Sequence, residues 1–142
     1  MLDDFWRTAT SGTYIALPDN PYVSIAPILA LTGAREYLRT TAAPVIAISP
    51  IVGGAALKGP AAKMMRELGE NVSAETVAVQ YADLLDGFVL DRCDAAEAEA
   101  IRARGMRVLL ADTVMRTSAD EARLAAEILA FAGEFARARV RV

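Results

Sequence analysis

One type of side chain that commonly runs enzymatic chemistry is missing from this 142-residue chain, which has no histidine. That removes Ser-His-Asp and Cys-His nucleophile pairs and every histidine metal site. The single cysteine, Cys93, excludes an internal disulfide and a multi-cysteine zinc site, and is expected to pack as a small apolar residue. Carboxylates, lysine, arginine, backbone amides and oxygen-bound hard metals remain. Two stretches present such groups in a pattern. In VIAISPIVGGAALKGPAAKMM, Val45 to Met65, a β-branched run stops at Ser49-Pro50. Gly53, Gly54, Lys58 and Gly59 follow, and a helix-prone segment opens at Pro60. Strand, glycine turn and helix is the order in which α/β proteins hold a phosphate, with backbone N–H groups and the helix dipole aimed at the anion. The run matches neither the dinucleotide fingerprint nor the P-loop, because Lys58 is followed by Gly59. Glycine turns between strand and helix also arise simply because the chain must bend there. The second stretch is Pro18-Asp19-Asn20-Pro21, whose polar side chains either cap the next helix or face a ligand at a strand's carboxyl end.

The elements that would position these groups alternate. TYIAL (13–17) reads as a short buried strand, and Val23 to Leu31 as one or two helical turns broken by Pro27. GAREYLRTT (33–41) is a short amphipathic helix with Ala34, Tyr37 and Leu38 on one face. Residues 45–48 form the next strand, and 60–68 a helix stopped by Gly69. Ser73 caps another helix, with Val77, Tyr81, Leu84 and Leu85 as its core stripe. GFVLD (87–91) and RVLLAD (107–112) are strands around a helix over 95–104. The long helix over 118–137 opens on a Ser118/Glu121 capping box and buries Leu124, Ile128 and Phe131. The tail from Arg137 is basic and expected to fray. Repeated β-loop-α units with continuously apolar strands predict a parallel sheet covered by helices on both faces. Four strands are few for such a sheet, so the chain reads as half of a larger doubly wound domain.

Composition narrows the function classes. The chain is long enough for one core that buries roughly two-thirds of the unfolded surface. Hydrophobic content is 54% and mean hydropathy +0.29, yet no apolar run approaches the length of a membrane span. Asp3 and Asp4 stand where a secretory leader would be basic, so a cytoplasmic location is expected. A net charge of −3 argues against general nucleic-acid binding. Phe5 and Trp6 suggest that 1–12 is a segment that packs against something else.

The blocks DNPYVSIAPILALTGAREYLR, SPIVGGAALKGPAAKMMRELG, YADLLDGFVLDRCD and ADTVMRT, in this order, resemble the C-terminal half of the 2-phospho-L-lactate transferase family of coenzyme F-420 biosynthesis. The resemblance runs from about Tyr14 to the final helix and implies a Rossmann-like fold, here a single partial domain over 1–142. It also implies a magnesium-dependent transferase. Such an enzyme moves a phospholactyl, phosphoenolpyruvyl or similar unit from a guanosine diphosphate conjugate to the primary hydroxyl of the deazaflavin Fo, releasing GMP. By that resemblance Asn20 and Ser24 contact the guanosine nucleotide, and Asp19 stands beside it in the same turn. Ser49, Gly53, Gly54, Lys58 and Gly59 line the phospho-acid side. Asp112 and Thr113 sit at another strand end without an assigned role, and no residue is assigned as catalytic. Asp19 departs from the family's usual serine, placing a carboxylate where a hydroxyl would sit near the nucleotide, with binding a metal and repelling a phosphate both open as its effect. The family's glycine-rich first loop and its acidic metal- and deazaflavin-contacting residues lie in an N-terminal half without counterpart here, so magnesium ligands are expected there. A truncated product, a split subunit and a piece of a longer protein all fit, with a second copy or an N-terminal-half partner as the expected associate. Two other functions stay open: a sugar-nucleotide-binding regulator of the gluconeogenesis-factor type, and an inactive remnant.

Overall fold

A computed structural model describes residues 14–16 and 19–140, with side chains described over 19–135. Phe5 and Trp6 lie outside the described residues. Four parallel strands form the main sheet: β1 (Tyr14–Ala16), β2 (Val45–Ile48), β5 (Gly87–Asp91) and β6 (Arg107–Ala111), in the order β1-β2-β5-β6. A two-stranded antiparallel hairpin, β3 (Ile51–Val52) and β4 (Ala55–Ala56), stands apart from it. The helices are α1 (Ala26–Leu29), α2 (Ala34–Thr40), α3 (Ala61–Glu67), α4 (Ala74–Gln80), α5 (Ala98–Arg102) and α6 (Ser118–Val140). A wide π-type turn, Pro21–Ile25, leads into α1, and a 3-10 stretch, Arg92–Glu97, leads into α5. This is the parallel α/β arrangement that the alternating pattern implies, and the Rossmann-like fold that the family resemblance implies.

Strand alternation divides the core between the two faces. Ala47, Phe88 and Leu90 point to one side and pack with Met65 of α3, Val77 of α4, Tyr81 just beyond it, and Ile101 of α5. Ile46, Ile48, Val89 and Ala111 point to the other, where α6 covers them with Leu124, Ile128, Phe131 and Phe135. Gly87 is required by that cover. A Cβ there would lie 2.8 Å from Phe131 Cε1, closer than real contacts allow.

Local signals set most boundaries. Ser73 Oγ accepts from Thr76 N at 3.1 Å, and Gly69 ends α3 with φ of 74°. Pro27 does not break its helix, because it sits in the first turn of α1, where the missing N–H costs nothing. The capping box of α6 begins one residue before the expected Ser118. Thr117 Oγ1 accepts from Asp120 N, while the Asp120 carboxylate accepts from Thr117 N at 2.9 Å.

Candidate functional site

The buried polar side chains among the described residues are Asn20, Ser49, Asp91, Asp94 and Thr113. Asn20 follows β1, Ser49 follows β2, Asp91 ends β5 with Asp94 close behind, and Thr113 follows β6. All four strand ends that make the sheet's carboxyl edge therefore carry a buried polar group. That edge is where open α/β sheets take ligands.

On the β5–β6 side the polar groups satisfy one another. Asp91 Oδ2 accepts from Thr113 N at 2.9 Å and from its hydroxyl at 3.2 Å, while Oδ1 accepts from Cys93 N at 3.0 Å. Burial pushes the Asp91 carboxyl up, but the hydrogen bonds from Cys93 and Thr113 outweigh it and hold the group below its ordinary value. Cys93 does not pack as an apolar residue; it is exposed. Its thiol is nonetheless locally desolvated and faces Asp91 and Asp94, which together push it up to about 11. A thiol so raised stays protonated at neutral pH and makes a poor nucleophile. Asp112 is exposed, with its carbonyl accepting from Arg123 Nη2 at 2.8 Å.

The β1–β2 side is more open. Asn20 caps the turn after it, its Oδ1 accepting from Tyr22 N at 2.9 Å and Val23 N at 3.3 Å. Its amide nitrogen lies 3.6 Å from Met64 Sδ of α3. The exposed Asp19 accepts from Ser24 Oγ at 3.1 Å and Asn20 N at 2.7 Å. Asp19, Asn20 and Ser24 thus form one cluster.

The second group is not brought together as the spacing suggests. Residues 45–65 do not run from strand through glycine loop to helix, because the β3–β4 hairpin intervenes. Gly53 and Gly54, with φ of 58° and 74°, make its two-residue turn, which requires positive φ at both positions. The Gly53 N–H does meet an anion, but an internal one: both carboxylate oxygens of Asp94 lie 3.0 Å from it. Ser49 is fully buried, and its hydroxyl is closed onto Ile51, donating to the carbonyl at 2.8 Å and accepting from the N–H at 3.1 Å. Lys58 and Gly59 are exposed, and Lys58 has no ion pair among the described residues. Sequence reasoning missed Asp91 and Asp94. Their signal was position alone, at and just after the end of a fully buried strand.

Among the described residues no three His, Cys, Asp or Glu side chains converge as a metal site. Asp91 and Asp94 already accept internal hydrogen bonds, so these residues by themselves do not fit magnesium.

A buried parallel sheet with polar groups gathered at its carboxyl edge places the chain in the α/β class. Residues 12–130 match the family described as 2-phospho-L-lactate transferase CofD, and the chain belongs to that family. It is 40% identical over 123 residues to the 2-phospho-L-lactate transferase of Methanocaldococcus jannaschii, covering 87% of this chain and 38% of that protein. The enzyme of that name from Methanosarcina acetivorans is 45% identical over 112 residues, 79% of this chain and 36% of the other. The phosphoenolpyruvate transferase of Kitasatospora aureofaciens is 41% identical over 114 residues, 76% of this chain and 35% of its own length. The chain spans less than two-fifths of the length of these relatives. No helix among the described residues is long and apolar enough to cross a membrane.

Proposed function

We propose that this chain supplies the carboxyl-edge nucleotide side of a transferase in coenzyme F-420 biosynthesis. The reaction moves a phospholactyl or phosphoenolpyruvyl-type unit from a guanosine diphosphate conjugate to the primary hydroxyl of Fo. The hydroxyl oxygen forms the new P–O bond, the bridging P–O bond breaks, and GMP leaves with that bond's electron pair, the hydroxyl proton passing by way of solvent to the leaving phosphate. Such chemistry rests on positioning and charge neutralisation, which a chain without histidine can provide. The observation that carries the reading is the gathering of polar groups from all four strand ends on one edge of a chain belonging to this family. Asp19, Asn20 and Ser24 face the guanosine nucleotide. Lys58 and Gly59, beside the Gly53–Gly54 hairpin, face the phospho-acid, with Lys58 as the neutralising cation. Magnesium ligands come from elsewhere in the assembled enzyme, as the family resemblance implies, no such cluster standing among the described residues. Residues that complete the active centre come from a partner or a further segment in the cytoplasm.

Calorimetric titration of the chain with GDP, GTP and UDP, with and without magnesium, tests this. Guanosine nucleotides are expected to bind, about tenfold more weakly to Lys58→Ala, since one exposed charge–phosphate contact is worth about 1.4 kcal/mol. Preference for UDP would transfer the assignment to a sugar-nucleotide-binding regulator. Equal binding to the wild type and Lys58→Ala would remove Lys58 from the site.

A further inference from the structure

The turn that carries Asn20 and Ser24 is held from a distance as well as by its own cap. Asn20 Oδ1 accepts from the N–H groups of Tyr22 and Val23, and the Asn20 carbonyl accepts from Ser24 N at 3.1 Å and Ile25 N at 3.2 Å. The Asn20 amide and the Ser24 hydroxyl therefore take their directions from the backbone of residues 21–25. A single π-type turn has little stability of its own, because one turn fixes several dihedral angles for few hydrogen bonds. Support comes from side chains far along the chain. Tyr22 donates its hydroxyl to the Glu70 carboxylate, 48 residues on. Gln80 Nε2 donates to the same hydroxyl at 3.0 Å and to the same carboxylate oxygen at 3.2 Å. The Tyr81 hydroxyl donates to the Pro21 carbonyl at 3.3 Å. Glu70 follows α3 and Gln80 closes α4, so the Tyr22–Glu70–Gln80 triangle ties the turn to both helices. Burial, then the hydrogen bond to Glu70, pushes the Tyr22 phenol above its ordinary value, and the phenol keeps the proton it donates.

We propose that Tyr22, Glu70 and Gln80 are positioning residues for the nucleotide, acting through the turn to hold Asn20 and Ser24 in their binding geometry. The inference rests on the functional reading above and extends it to residues away from the strand ends. Losing the triangle loosens the turn more than it unfolds the chain. Tyr22 only packs against the edge of a core cluster, its ring contacts survive removal of the hydroxyl, and Glu70 and Gln80 are no part of that core.

Two readouts on the full chain test this: amide hydrogen exchange over residues 22–25, and calorimetric affinity for GDP. Tyr22→Phe is expected to speed exchange over those residues and to weaken GDP binding about fivefold, as one lost hydrogen bond would, with the urea midpoint little changed. Glu70→Ala is expected to behave alike, whereas Glu70→Gln, which keeps a carbonyl acceptor for the phenol, restores most of both. Tyr22→Phe combined with Glu70→Ala is expected to bind no more weakly than either alone, since both act through one turn. Additive losses of affinity, or weaker binding without faster exchange over 22–25, would overturn the proposal. The two readings fail differently. GDP binding that Tyr22→Phe leaves unchanged removes the triangle and keeps the functional reading, while a wild type that takes no GDP removes both.

Discussion

The two ends of the sheet's carboxyl edge use the same kinds of residue to opposite effect. On the β5–β6 side Asp91, Cys93 and Thr113 spend their polar groups on one another, and Asp91 and Thr113 are buried. On the β1–β2 side Asp19, Ser24, Lys58 and Gly59 keep polar groups toward solvent, and only Asn20 and Ser49 are closed. A ligand edge needs both. Closed clusters fix where the strand ends stand, and open ones have hydrogen bonds left to give. Position at a strand end is therefore a poor guide to binding, and spare hydrogen-bonding capacity is a better one.

If this contrast holds, the largest effect of any single change should fall on the closed side. Asp91→Ala leaves the buried Thr113 N–H and hydroxyl and the Cys93 N–H without their acceptor, and should cost about 3 kcal/mol, read from the urea midpoint. A cost below about 1 kcal/mol would show that water replaces the carboxylate and that the cluster is not closed. The same group gives an acid signature. Its folded pKa is depressed, so its contribution is present above the unfolded value and fades as pH falls through the folded one. Stability of the wild type should drop more steeply than that of Asp91→Asn on acidification below about pH 4. A smaller loss, about 1 kcal/mol, is expected for Thr113→Val, which removes the hydroxyl and keeps the backbone bond. The smallest is Asp19→Ser on the open side, within about 0.5 kcal/mol in stability. Calorimetry should then show guanosine nucleotide binding strengthened by the lost negative charge.

Locally encoded features were legible. GFVLD is a strand over the residues its β-branched and aromatic content marks, Ser73 is a cap, and Leu124, Ile128 and Phe131 face the sheet. Asn20 serves as the cap that its place before Pro21 suggests. Each depends on neighbours within about four residues, through propensity, period or a side chain reaching its own backbone. What the sequence by itself determined is thus the order of elements, the parallel α/β class and the four strand ends at one edge. The tertiary structure decided which groups at that edge are spent. Gly53-Gly54 reads equally as a phosphate loop or a hairpin turn, since glycine permits both, and the pairing of Ile51 with Ala56 is what gives the turn its hairpin backbone. Asp94 meets Gly53 across 41 residues, and Asp91 meets Thr113 across 22. Contacts at such separations depend on how helices and sheet pack, which no local pattern encodes.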